Sequence, residues 1–366
     1  MQDKRDIQQV ILFFIEANEE KMKERTLFLE RNFACLFFLV ISHAEYLSIY
    51  NKKNMIYHLI RSLWKLMSLL PMWILYFISD LVYFPLYYVV RYRRKVVRKN
   101  LVKSFPEKEE KEIVRIEKGF YSWFCDYVVE TIKIRSMNEK EMRERMTFDG
   151  LEEIYAQMEA KGQTLCFAYL GHYCNWEWVA SLPLWTGDKL HCAQIYHPLE
   201  NETMNKLFLE QRSRFGAENI AMNDTLRRMI TLKKEGQKTI IGFIADQTPH
   251  WNSIHLWMDF FNQETPVFTG TERIAKQLDA CLCYIDMQRP RRGYYKAHFK
   301  LMDLAGKTTS EFPITETYMR LLEETIKQAP SYWLWSHNRW KRSREKFESR
   351  FQIINGKVVL KKTGNE

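Results

Sequence analysis

Hydrophobic and polar positions alternate between two rhythms along this chain. Short apolar runs at Thr164 to Leu170, Lys189 to Ile195, Thr239 to Ile244 and Cys281 to Met287 are long enough for buried strands and too short for helices. Tyr294 to Leu301 alternates as an edge strand would, after a turn at Arg292-Gly293. Between these runs the period lengthens to that of helices, at Asn201 to about Arg214, Asp224 to Glu235, Thr269 to Leu278 and Ile314 to Gln328. The Asp224 helix has Asn223 as its cap residue and Gly236 just past its end. Strands alternating with helices predict an α/β fold, a layered sheet with crossover connections.

The first third reads differently. Residues 1–54 mix short apolar runs with a charged stretch and lack a signal-peptide pattern, and Met55 begins a more ordinary sequence. The expectation is that 1–54 is an upstream extension and Met55 the biological start. From Leu66 to Val90 the chain is apolar and aromatic, with Pro71, Asp80 and Pro85 as the strong irregularities. That length suffices to cross a bilayer. Asp80 at the bilayer centre would cost on the order of 3 kcal/mol, so interfacial embedding competes with a span, and a buried core helix is the third alternative. Arg91, Arg93, Arg94, Lys95, Arg98 and Lys99 follow at once, a cluster that holds its end on the cytoplasmic side and attracts anionic headgroups. An amphipathic helix from about Glu107 to Ile134 comes next, rich in aromatics around Tyr121. Phe148-Asp149-Gly150 then turns the chain into a helix ending near Gly162. The organisation expected is an extension (1–54), an anchor with its basic segment (55–100), a catalytic domain (101–346) and a tail (347–366).

Composition narrows the partners. A formal charge of +10 with 14% aromatics favours anionic ones, whether nucleic acid, acidic protein or anionic membrane. A hydrophobic content of 46% excludes wholesale disorder. Seven scattered cysteines without a CxxC pair fit a reducing compartment, and Cys281 and Cys283 read as core thiols. GxGxxG and GxxxxGK[ST] are missing, which disfavours nucleotide cofactors, and no zincin spacing is present.

The candidate chemistry gathers at TLCFAYLGHYCNW, Thr164 to Trp176, followed by Glu177. A strand ends at Gly171 and places His172 in the turn. Asn175 offers a helix N-cap, so Glu177 falls in the first helical turn, where it can reach back toward the imidazole. Spacing alone is weak: among nine histidines, His197/Glu202 and His298/Asp303 share it. His197 stands in a polar loop and His298 in the alternating strand. A turn histidine with a local carboxylate remains the plainer alternative. Asp246-Gln247 closes its own strand, so both would line the crevice with His172, unless Asp246 merely caps the following turn. Arg212 ends a helix, either as a favourable C-terminal cation or as a guanidinium fork for an oxyanion. Pro330 to Arg342 packs bases among aromatics and suits a membrane interface, a pocket wall or a nucleic acid.

In order along the chain, Arg98-Lys99-Asn100-Leu101, Phe105-Pro106, the Gly171-to-Glu177 block, Tyr196 to Pro198, Arg212, Asp246-Gln247, Phe260-Phe261, Gly270 with Glu272 and Tyr332 to Arg339 form one set. The set, from Met55 to Lys346, resembles the late acyltransferases of bacterial lipid A biosynthesis, the lauroyl/myristoyl group. HxxxxE with Asn-Trp-Glu is its most specific part. His197 stands where that family usually has Arg, and Asp259 where Pro is common.

The resemblance implies a glycerolipid-acyltransferase type of sheet with an N-terminal membrane-anchoring helix, on the cytoplasmic face of the bacterial inner membrane. It implies transfer of a fatty acyl group from acyl carrier protein to a hydroxyl of a membrane lipid, a lipid A precursor, with no cofactor and no metal. His172 would be the general base and Glu177 its orienting carboxylate, with Arg212, Asp246, Gln247 and Asn175 binding substrate or oxyanion. The same chemistry on an aminolipid or lysophospholipid is the nearest alternative. A membrane-tethered nucleic-acid-binding protein is the alternative of another class.

Overall fold

The computed structural model describes residues 53–302, 304 and 311–361. The expected extension 1–54 and Asp303 therefore lie almost wholly or wholly outside the described residues. Helices α1 (Lys53–Leu69) and α2 (Met72–Phe84) open it, and α2 runs on into a π-helical turn at Pro85–Val90. Next come α3 (Arg94–Ser104), α4 (Glu110–Lys133), α5 (Glu139–Arg145), β1 (Met146–Asp149), α6 (Leu151–Ala160) and β2 (Leu165–Leu170). A 3-10 turn at Trp176–Ser181 and the short α7 (Pro183–Thr186) lead to β3 (His191–Tyr196), α8 (Glu202–Arg212), β4 (Glu218–Ala221), α9 (Thr225–Glu235) and β5 (Thr239–Ile244). The hairpin β6 (Leu256–Phe260) and β7 (Gln263–Val267) precedes α10 (Gly270–Leu278), β8 (Cys281–Arg291), β9 (Tyr294–Leu301) and α11 (Pro313–Gln328). Helix α12 (Arg344–Arg350) and a hairpin of β10 (Phe351–Ile354) and β11 (Lys357–Leu360) finish the described chain.

The α/β reading holds. A seven-stranded sheet has the order β1-β9-β8-β2-β5-β3-β4, and β8, β2, β5, β3 and β4 are mutually parallel. β9 is antiparallel to β8 and parallel to β1. The expected edge position of β9 is thereby corrected: β1, from the stretch read as a turn, pairs outside it. All six residues of β2 are buried, as a strand covered on both faces requires. From β2 the chain proceeds to β3, beyond β5; from β5 it proceeds to β8, on the far side of β2. The carboxyl ends of β2 and β5 thus form a switch point, where α/β sheets leave a crevice.

The apolar segment is not one uninterrupted helix. Pro71 separates α1 from α2, and Met72–Val90 is long and apolar enough to cross a membrane. Its two faces differ. Trp73, Phe77, Leu81, Phe84 and Tyr88 form an exposed apolar row at helical spacing. Tyr76, Ser79 and Asp80 face the domain: Ser79 donates to Asp126 of α4 at 2.7 Å, and Asp80 accepts from Arg292 at 2.7 Å. The costly Asp80 is therefore engaged with the folded domain. Cys281 and Cys283 are buried free thiols, and Cys166 Sγ lies 3.5 Å from Cys283 Sγ.

Candidate active site

Register builds the centre. Leu170 of β2 pairs with Ile244 of β5, so the residues two beyond each strand end, His172 and Asp246, stand opposite one another. Gly171 permits the approach, because a Cβ there would lie 2.5 Å from Leu322 Cδ1 and 3.3 Å from Asp246 Oδ2. Asp246 Oδ1 is 2.6 Å from His172 Nδ1, and Asp246 Oδ2 accepts the His172 backbone N–H at 2.9 Å and Trp333 Nε1–H at 2.8 Å. Burial alone would raise the Asp246 carboxyl, but the charge of His172 and these three donors overcome it and hold the group down to about 2. An ionised Asp246 fixes the proton on Nδ1 and leaves Nε2 toward the cleft. Gln247 Nε2 lies 3.3 Å from His172 Nε2, and the Trp176 ring meets the imidazole edge-on.

Glu177 is placed otherwise than the sequence spacing suggests. Asn175 does not cap the following turn, which is 3-10 rather than α-helical. That tighter turn carries the Glu177 carboxylate to Arg212, where it accepts from Nε at 2.8 Å and from Nη2 at 2.6 Å. The Nδ1 position of His172 is filled by Asp246, so Glu177 does not take the orienting contact expected of it. Burial opposes the charge on Arg212, yet Glu177 outweighs it and raises the guanidinium further. Arg212 is the last residue of α8, as expected, and its fork is aimed across the site rather than at its own helix end. The Asn175 side chain donates instead to Glu130 Oε2 at 2.8 Å. His172, Glu177, Arg212 and Gln247 all line one cleft of about 1820 Å³, with Asp246 buried behind His172.

The cleft wall is largely apolar. Ala168, Ile240 and Gly242 of the sheet line it, with Phe124 and Tyr127 of α4. Tyr121, at the centre of that helix's aromatic stretch, is buried away from the cleft and donates to the Tyr92 carbonyl. Basic residues Arg91, Arg93, Lys95, Lys99 and Lys341 stand on the cleft's lining too. The Pro330-to-Arg342 stretch folds inward. Trp333, Trp335 and Arg339 are buried, and the Leu334 N–H donates to the His172 carbonyl at 3.2 Å. An aromatic surface open to a nucleic acid is thus not what this stretch provides; it is the site's back wall. Phe260-Phe261 belongs to the same wall, with Phe261 at φ 54° in the β6–β7 turn. His197 is exposed in its loop, and its ring meets the Pro198 carbonyl at 3.0 Å. Among the described residues no three His, Cys, Asp or Glu side chains converge as a metal site.

A sequence model described as the bacterial lipid A biosynthesis acyltransferase matches residues 48–342. The chain belongs to that family. This lipid A biosynthesis acyltransferase is accordingly an enzyme of acyl transfer, with an acyl donor and a lipid acceptor as its general substrates. No curated protein matches it. The match covers the anchor-like helices, the whole sheet and the Tyr332-to-Arg339 wall of the acyltransferase, so it spans every residue placed at the cleft. Asp246 as the imidazole's partner is what sequence spacing missed in this acyltransferase. Its signal was present: two strand-end polar residues, each just beyond an apolar run.

Proposed function

We propose that the enzyme moves a fatty acyl group from the thioester of an acyl carrier protein to a hydroxyl of a lipid A precursor, using His172 as general base. The observation that carries this reading is the 2.6 Å contact between His172 Nδ1 and the buried Asp246, with Nε2 left toward the cleft. The acceptor hydroxyl gives its proton to Nε2 as its oxygen attacks the thioester carbonyl. The tetrahedral oxyanion then collapses, the C–S bond breaks, and the carrier's thiolate recovers the proton from imidazolium. Asp246 holds the tautomer and stabilises the imidazolium, the part that spacing had given to Glu177.

The candidate oxyanion donors are the backbone N–H groups that follow Cys174, whose own N–H is donated to the Tyr332 carbonyl at 2.9 Å, and the Arg212 guanidinium. Arg212 lines the cleft, oriented by both oxygens of Glu177, and a pre-aimed guanidinium of this kind is worth roughly 3 kcal/mol in the transition state. Glu177 therefore acts through Arg212. Gln247, 3.3 Å from Nε2, occupies the place the acceptor hydroxyl takes. The apolar cleft floor suits the acyl chain.

The exposed row of α2 and the adjoining Arg91, Lys95 and Lys99 support an interfacial seat on the cytoplasmic face of the bacterial inner membrane. Asp80, held by Arg292, argues for that seat over a full span. The same cations would draw an acidic carrier protein to the cleft.

The test uses membranes containing the protein, defined acyl carrier protein thioesters of several lengths and a mixed lipid extract, read by mass spectrometry. Wild type should add one acyl unit to one lipid, whose identity names the acceptor, lipid A precursor or other. His172→Ala should lose about 10²- to 10⁴-fold in rate with nearly unchanged thermal unfolding. No acylated lipid at any donor length would sink the reading.

A further inference from the structure

Glu130 has no part in the chemistry just described, yet it is fully buried and touches three separate elements. Its Oε1 accepts the Tyr76 hydroxyl of α2 at 2.9 Å. Its Oε2 accepts Asn175 Nδ2 of the His172 turn at 2.8 Å and the Tyr295 hydroxyl of β9 at 2.6 Å. Its own carbonyl accepts Trp178 Nε1, in the 3-10 turn that carries Glu177, at 3.2 Å. Burial raises the carboxyl's pKa despite the opposing charge of Arg289, whose Nη2 is 3.9 Å away. Burying a carboxyl there costs free energy that the hydrogen bonds from Tyr76, Tyr295 and Asn175 offset in part.

The turn that it holds is under tension. Cys174 has φ 54°, in the left-handed region that a residue with a side chain rarely adopts. Asn175 Oδ1 is buried without a hydrogen-bond partner, so the bond to Glu130 is the side chain's single polar tether among the described residues. On the other side, Tyr76 lies on the inner face of the helix whose outer face presents Trp73, Phe77, Leu81 and Phe84. Ser79 and Asp80, one turn on, bind Asp126 and Arg292 in the same layer. A shift of α2 by an ångström would stretch the Tyr76–Glu130 bond past hydrogen-bonding range.

We propose that Glu130 is a positioning residue, through which the seating of α2 on a lipid bilayer sets the geometry of the His172 turn. Resting on the membrane reading above, this assigns the exposed row to one occupant, an anionic bilayer surface. The row runs directly into Arg91, Lys95 and Lys99 at the cleft, so lipid contact and the chemical centre share an edge. Tyr76 and Asn175 are the two ends of the linkage and Glu130 is its middle.

Hydrogen exchange of the full chain, with and without vesicles of phosphatidylglycerol and phosphatidylethanolamine, tests it. In wild type, amides of 172–181 should exchange severalfold more slowly once vesicles are present. Tyr76→Phe keeps the ring beneath the Arg292 guanidinium and removes the one hydroxyl. It should sediment with vesicles as wild type does while its turn loses the vesicle response, and kcat should fall with KM for the carrier thioester unchanged. Glu130→Gln should behave alike; if that variant fails to fold, Tyr76→Phe decides alone. The proposal is overturned if the wild-type protein ignores vesicles, if its turn does not respond, or if Tyr76→Phe responds fully. Equal acceleration of exchange with and without lipid, the sign of a purely structural role, overturns it too. Absence of lipid acylation by wild type would remove the proposed reaction and leave the exchange result standing.

Discussion

Two histidines of this chain meet an aspartate across neighbouring strands, one at the cleft and one away from it. His298 of β9 stands in register with Asp149 of β1, and their side chains are hydrogen-bonded. Lys296 shares that aspartate at 2.7 Å, and about two-fifths of each His–Asp side chain is open to water. Burial works against the Asp149 charge, but Lys296 and His298 prevail and lower its carboxyl. At the other pair, Asp246 is 2% exposed and its oxygens are committed to His172 and Trp333. The residue types are the same, and the surroundings are opposite. A carboxylate in solvent spends its charge on whichever cation is near, whereas one walled off by tryptophan and backbone holds a single imidazole in a single tautomer. Cleft position completes the difference, since His172 lines the cavity and His298 does not.

Breaking each pair in the same way separates them most clearly. Asp246→Asn should lower kcat by about 10²- to 10³-fold, because the amide no longer stabilises imidazolium, and Asp149→Asn should leave transfer unchanged. Equal activities in steady-state assays of the two variants would return Asp246 to a structural role. Arg212→Lys should cost about tenfold in kcat, since an ammonium cannot be held by two bonds at Glu177 and still face the cleft. An unchanged rate would make the Arg212–Glu177 pair a brace for α8 only. The smallest effect concerns acid stability. Asp246 is held at about 2 against an ordinary 3.8, so its contribution is whole above about pH 4 and is lost as pH falls toward 2. Asp246→Asn should flatten that acid limb in urea or thermal titrations, and Asp149→Asn should flatten it less, because its pair is screened by water.

Much of this was visible in the chain itself. Apolar runs located β2, β3, β5 and β8, alternation located β9, and the residues after the β2 and β5 runs are the centre of the site. Pairing was not visible. His172 and Asp246 are 74 residues apart, and only the parallel register of β2 and β5 makes them neighbours. Proximity in sequence pointed to Glu177, five residues from His172, but the 3-10 geometry of Trp176–Ser181 turns that carboxylate to Arg212. β1 and β4 have four residues each, too few to show a period of two, and β4 begins with a charged residue. The β6–β7 hairpin turns through Phe261 and Asn262 at positive φ without glycine, so its usual signal is missing. The Trp333-to-Arg339 stretch looked basic and aromatic, and its burial follows from aromatic partners elsewhere in the fold, Phe105 and Phe261 among them.

The register that brings His172 to Asp246 also bears on when the enzyme can first work. A slip of one residue between β2 and β5 would turn every side chain of the slipped strand to the opposite face. Parallel pairing across a long intervening chain is a slow step of folding, because the loop must close before its contacts repay the lost entropy. The imidazole and its carboxylate therefore meet only after the middle of the sheet has assembled. Activity regained during refolding is a clock for that event, and a chain whose sheet is half made has no His172–Asp246 pair.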